Sequence, residues 1–168
     1  DYEYDLNVEA ADIRSIISMH YDTSGTLWLG TFYQGIQYYN VANDAFHFYR
    51  SSTAVGGHLN SYIISSIAED RSGRIWFASE GSGLNYYDKH TKRFFPLKKV
   101  YSQELSFKIV KSLYYEKEPD YLWVASLYQG INRINLLTGH IESISENIYT
   151  PEGKTVVDRA YNLVKMIE

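Results

Sequence analysis

Three tryptophans set the frame of this chain. Trp28, Trp76 and Trp123 stand 48 and 47 residues apart, and each opens the same cadence. Seven residues on comes a glycine (Gly35, Gly83, Gly130), and five further an Asn or Asp (Asn40, Asp88, Asn135). Six beyond that comes Phe46, Phe94 or Ile141. A unit repeated at this period does not dry its own apolar faces. It stacks on copies of itself, as in a propeller or a solenoid.

Each copy divides into four short runs. Apolar and polar residues alternate ahead of the Trp, as in Ile17 and Met19, with a slip between Ile64 and Ile67. A turn cluster follows, Asp22-Thr23-Ser24-Gly25 or Asp70-Arg71-Ser72-Gly73, whose Asp and Ser bond their own backbone while Gly takes positive φ. The second run holds the Trp (Leu27-Trp28-Leu29, Ile75-Trp76-Phe77, Leu122-Trp123-Val124), and the third follows the repeated Gly. A fourth begins near Phe46 or Phe94. Period-two patterning, aromatic and β-branched residues, and turns every 8–12 residues predict strands. The fold class is therefore all-β: about three four-stranded antiparallel blades, forming a segment of a larger propeller. The repeated Trp is expected to fill the layer between blades. The third copy departs most, with a first hairpin, Glu116-Lys117-Glu118-Pro119-Asp120, that is one residue longer and lacks Gly.

The 168 residues read as one β-propeller segment, with blades at about 15–50, 62–97 and 107–144. Partial strands are expected at 1–12, as an outer strand, and at 161–168, where Tyr161-Asn162-Leu163 resembles Tyr62-Ile63-Ile64. Open blade faces favour self-association, for example as a homodimer.

Net charge is −4 and no basic run occurs, which disfavours a nucleic-acid partner, and none is expected. With no Cys, neither a disulfide framework nor a thiolate metal site forms. No apolar run approaches the length of a membrane span. The five His residues lie in different runs without paired metal-ligand spacing, so no metal and no cofactor is expected. Glu69-Asp70 is an adjacent acidic pair at a strand end, whereas glycoside hydrolysis needs carboxylates facing each other across space. No catalytic residue is assigned, and the chain is read as non-enzymatic.

The stretch Asp22-Thr23-Ser24-Gly25-Thr26-Leu27-Trp28-Leu29-Gly30-Thr31 through Gly35-Ile36 to Tyr39-Asn40 resembles the two-component regulator propeller repeat. The second copy matches at Ile64, Ile67, Asp70, Gly73, Ile75, Trp76, Gly83, Leu84, Tyr87 and Asp88, with Ala78 and Ser79 where the family has Gly and Thr. The third keeps Leu122, Trp123, Val124, Gly130, Ile131 and Asn135. This resemblance implies a periplasmic sensor region of a hybrid two-component system responding to oligosaccharides. Its parent protein would be anchored in the inner membrane, with the histidine kinase elsewhere in it. The alternatives are a protein-interaction scaffold, or a propeller lyase or glycosidase.

In a blade ordered from axis to rim, the loops between second and third strands share one end with the connections between blades. Ligands usually bind there. Those loops carry Phe32-Tyr33-Gln34, Glu80-Gly81-Ser82 and Leu127-Tyr128-Gln129. Tyr33, Gln34, Glu80, Tyr128 and Gln129 are the candidate ligand-binding residues: Tyr stacks on a sugar ring, and Gln and Glu bond hydroxyls. The competing reading of the Tyr-Gln pair is packing against the next blade. Gly57, His58 and Asn60 of the first connection are weaker candidates.

Overall fold

The computed structural model of the chain describes residues 15–40, 42, 45–49, 59, 61–97, 105, 108–127 and 130–143. The expected partial strands at 1–12 and 161–168 lie outside the described residues. Three antiparallel four-stranded sheets are formed, each in sequence order. The first holds β1 (Ile16–Tyr21), β2 (Thr26–Thr31), β3 (Ile36–Asn40) and β4 (Ala45–Tyr49). The second holds β5 (Ile64–Glu69), β6 (Ile75–Ser79), β7 (Gly83–Asp88) and β8 (Arg93–Pro96). The third holds β9 (Val110–Glu116), β10 (Tyr121–Ser126), β11 (Ile131–Asn135) and β12 (Ile141–Ser143). This is the all-β propeller-blade architecture read from the repeat. Among the described residues no helix is long and apolar enough to cross a membrane.

The blades meet along their first strands: β5 lies against β1 on one side and β9 on the other. Each first strand carries a β-bulge, which is the slip seen in the alternation. The pairing skips Ile17 between Ile16 and Ser18, Ser65 between Ile64 and Ser66, and Lys111 between Val110 and Ser112. A bulge re-aims the extra side chain and tightens strand twist. Serines at or beside the bulges then reach the next blade. Ser18 Oγ donates to the Ile64 carbonyl at 2.9 Å, and Ser65 Oγ to the Val110 carbonyl at 2.6 Å.

Two apolar layers hold the stack. Between the first and second blades, Trp28 packs with Ile36, Leu59, Ile64, Ile67, Ile75, Phe77, Tyr87 and Phe94. Between the second and third, Trp76 packs with Ala78, Leu84, Val110, Leu113, Leu122, Val124 and Ile134. Trp28 is 3% exposed and Trp76 is fully buried. Trp123 departs from the expectation. It is only half-buried, although, like Trp76, it points away from the layer that holds its strand neighbours. Each Trp faces the following blade, and the third has none among the described residues. Arg133 covers Trp123 instead, 5.4 Å from the ring centre.

The hairpin aspartate does more than turn the chain. Asp22 Oδ1 accepts from the N–H groups of Ser24 and Thr26, both at 2.9 Å, and Oδ2 accepts the Trp28 indole N–H at 2.8 Å. Asp70 repeats this with Ser72, Arg74 and Trp76. One buried carboxylate thus fixes both the hairpin and the orientation of the indole. In the third blade Glu116 takes the indole bond at 2.8 Å, and Asp120, at φ 74°, supplies the left-handed turn conformation given elsewhere by Gly25 and Gly73.

Candidate functional site

At one end of the first two blades, the loop after the second strand is tied to the segment leading into the next blade. Gly35 N–H donates to the Tyr62 carbonyl at 2.9 Å, and Gly83 N–H to the Lys108 carbonyl at 2.9 Å. Gly35, Gly83 and Gly130 sit at φ 79°, 75° and 77°. A side chain at that φ is strained, so the repeated Gly is what lets the loop bend into this contact. Glu80 N–H reaches the Ile63 carbonyl at 3.2 Å, and Ser61 Oγ reaches the Glu80 carbonyl at 3.1 Å.

The result is an open cleft of about 540 Å³ between the first and second blades, lined by Tyr33, Ser61, Tyr62, Ile63, Glu80 and Gly81. Tyr33 is 67% exposed and Tyr62 56% exposed. Phe32 packs edge-on against Tyr33, with ring centres 4.4 Å apart. Glu80 forms an ion pair with Lys111, the bulge residue of β9. The cleft therefore offers two aromatic surfaces and a carboxylate whose charge is already compensated, while the buried Ser61 hydroxyl is spent on the Glu80 carbonyl. Its size is that of a small-ligand pocket.

Of the candidates named from sequence, Tyr33 and Glu80 line this cleft together. Gln34 is turned toward its own blade: its N–H donates to Thr31 Oγ1 at 2.8 Å, and its side-chain oxygen accepts from Gln37 Nε2 at 3.0 Å. Tyr128, Gln129, Gly57, His58 and Asn60 lie outside the described residues. Tyr62, Ser61 and Lys111 were not singled out. The position of Tyr62 and Ser61 just ahead of β5 could have revealed them, since such connections share an end with the candidate loops. Lys111 carries no local signal, because its aim depends on the bulge.

At the opposite end, ion pairs cross the same interface. Lys89 Nζ lies 2.9 Å from both Asp22 Oδ2 and Glu69 Oε1, and Thr23 bonds Glu69 through both its N–H and its hydroxyl at 2.8 Å. Burial alone would raise the Asp22 pKa, yet bonds from Trp28, Lys89, Ser24 and Thr26 hold it far below the usual carboxylate range. Glu69 is likewise lowered: burial opposes ionisation, and Lys89 and Thr23 outweigh it. Lys89 is raised, its burial overcome by the two carboxylates. His20 is lowered, chiefly by burial. Arg71 plays the same part between the second and third blades, with Nε 3.2 Å from Asp120 Oδ1 and its N–H on Tyr115 Oη. Among the described residues no group of His, Asp and Glu is placed to hold a metal ion.

Residues 58–81 match the family model described as two component regulator propeller. That window runs from the segment ahead of β5, through the Asp70 hairpin and β6, to Gly81 of the cleft. Solved structures with the same fold include the extracellular domain of the hybrid two component system BT3049 from B. thetaiotaomicron, at 22% identity and a TM-score of 0.66. The match covers 76% of this chain and 18% of that one. Virginiamycin B lyase from Staphylococcus aureus aligns at 14% identity and 0.59, covering 82% of this chain and 43% of the lyase. PorZ, a bacterial surface component of the type-IX secretion system of Porphyromonas gingivalis, aligns at 22% and 0.54, covering 78% and 18%. No curated protein matches the chain. The chain thus spans less than half of each of these structures, and the likenesses show its fold. With the matched window centred on the Asp70 hairpin and Trp76, the chain carries the two component regulator propeller repeat.

Proposed function

We propose that this chain is a ligand-sensing part of the periplasmic propeller of a hybrid two-component histidine kinase, and that its ligand is an oligosaccharide. The observation that carries the reading is the cleft in which Tyr33 and Tyr62 stand exposed beside Glu80. Exposed phenols stack on sugar C–H faces, and a carboxylate already paired with a lysine accepts hydroxyl hydrogen bonds without adding net charge. The repeat family and the fold shared with an extracellular two-component domain support the assignment to a sensor. The parent protein is then anchored in the inner membrane, and a homodimer is the arrangement whose change would carry the signal.

Isothermal titration of the chain with a panel of neutral and acidic oligosaccharides tests this. Saturable heat is expected, weakened at least about tenfold (roughly 1.4 kcal/mol) by Tyr33→Ala or Tyr62→Ala. A panel without heat, or affinities untouched by the double variant, rejects it. A protein-interaction scaffold is the second reading, favoured by Ile17, Met19 and Tyr21 standing exposed on one face of β1. Sedimentation and pull-down with no response to sugar would select it.

A further inference from the structure

One polar position recurs in the apolar layers. Gln37, Asn85 and Asn132 each stand two residues after the repeated Gly, 48 and 47 residues apart, and all three are buried. Each has a side-chain carbonyl oxygen that is fully buried and meets no donor: Gln37 Oε1, Asn85 Oδ1 and Asn132 Oδ1. The amide nitrogens of the first two hold the loop of their own blade. Gln37 Nε2 donates to Gln34 Oε1 at 3.0 Å, and Asn85 Nδ2 to Ser82 Oγ at 3.2 Å. Turning Gln37 alone would set its oxygen against Gln34 Oε1, and turning Asn85 would leave its nitrogen without an acceptor instead.

We infer that each blade binds one internal water at this amide oxygen. A buried carbonyl without a donor is costly, and an isolated case could be a local defect. Three in register, on blades that differ in sequence elsewhere, mark a site. Among the described residues no side chain donates to these oxygens. The residues paired with these amides across the sheet are Leu29 and Phe48, then Phe77 and Pro96, then Val124 and Ser143. The nearby hydroxyls spend their protons elsewhere: Thr31, Ser79 and Ser126 donate to the carbonyls of Gly35, Gly83 and Gly130 at 2.9, 2.9 and 3.1 Å. A cation requires several converging oxygens, whereas each site presents one free oxygen. Water needs fewer partners, and it satisfies the amide in either orientation.

The inference is independent of the glycan reading. A crystal structure of this chain at atomic resolution tests it. An ordered water is expected at roughly 2.7–3.2 Å from all three oxygens. Dry oxygens at two or more positions, or amides turned onto a protein donor, overturn it. Oxygen-17 relaxation in solution supplies a second readout. The count of long-lived internal waters should fall by one in Asn85→Leu, and likewise in Asn132→Leu should the first variant not fold. An unchanged count in a folded variant refutes the site.

Discussion

Gly30 lies where the first blade meets Ile64 of the second, and a single methyl there tests the stacking. A Cβ on Gly30 would lie 2.1 Å from Ser18 Oγ, 2.5 Å from the Ile64 carbonyl oxygen and 2.9 Å from Ile64 Cγ2. The first contact is soft. Ser18 can rotate away, but it then loses its 2.9 Å bond to the Ile64 carbonyl, worth about 0.5–1.5 kcal/mol. The second contact is hard, because that oxygen belongs to the backbone of β5 and moves only with its blade. Overpacking of this kind costs about 1–3 kcal/mol. Gly30→Ala should therefore destabilise by roughly 2–4 kcal/mol in total. In a chain of this size that lowers Tm by about 5–15 °C. Urea unfolding followed by tryptophan fluorescence reads it, since Trp28 lies in the affected layer. Adding Ser18→Ala removes the soft contact and should recover no more than half the loss. The equivalent positions hold Ala78 and Ala125, both fully buried, so Ala78→Gly should also destabilise, by about 1 kcal/mol. A Gly30→Ala effect under about 0.5 kcal/mol, or full rescue by Ser18→Ala, would refute the claim that backbone contact sets the blade spacing.

Asp70→Asn should cost about 2–4 kcal/mol in urea unfolding, because an amide keeps one acceptor oxygen where Asp70 uses both: Oδ1 accepts from the N–H groups of Ser72 and Arg74, and Oδ2 from Trp76 Nε1 and Arg74 Nε at 2.7 and 2.6 Å. Lys92 sits at φ 54°, where the third blade has Gly139 at φ 77°, so Lys92→Gly should stabilise by roughly 0.5–1 kcal/mol in the same assay. Stability against pH should follow the Asp22–Lys89–Glu69 bridge. The folded-state pKa of both carboxylates is lowered, so their contribution is complete above the unfolded range near about 4 and drains as pH falls through it. His20 is also lowered, so acid begins to weaken the fold from about pH 6.5 downward. Lys89 is raised, so its contribution is complete below about 10.4 and is lost above that. Thermal melts between pH 3 and 11 should show a plateau near neutrality with decline on both sides; a rise in stability on acidification would contradict the assignment.

The strands were legible because their information is local. Alternation, a turn cluster and the Trp–Gly spacing fall within one repeat, and even the bulge was visible as a slip between Ile64 and Ile67. Half of the hairpin chemistry was equally plain: Asp22 and Asp70 were read as bonding their own backbone. Their second role, holding the indole six residues on, is written in the same spacing but emerges only when the side chains are placed. What sequence hid is what spans blades. Lys89 meets Asp22 across 67 residues, Lys111 meets Glu80 only because a bulge turns it, and Tyr62 joins Tyr33 through a hydrogen bond from Gly35. Trp123 has the same motif as Trp28 and Trp76 yet differs in burial, because burial belongs to the neighbour and not to the repeat.

The cleft and the ionic bridge lie at opposite ends of one interface, so under the proposed reading a bound ligand would act on blade geometry. Tyr33 comes from the first blade, Tyr62 and Glu80 from the second, and Glu80 is held by Lys111 of the third. A ligand touching both tyrosines would strap one end of an interface whose other end is fixed by Lys89 between Asp22 and Glu69. Binding then favours the stacked state over any opened one, by RT ln(1 + [L]/Kd), about 2.7 kcal/mol at a hundredfold excess over Kd. The gain should reach the third blade through Lys111. Amide exchange in β5 and β9 should therefore slow together on ligand addition, and Lys111→Met should confine the slowing to β5. Protection limited to the loops, with both strands unaffected, would mean that the cleft captures ligand without engaging the stack.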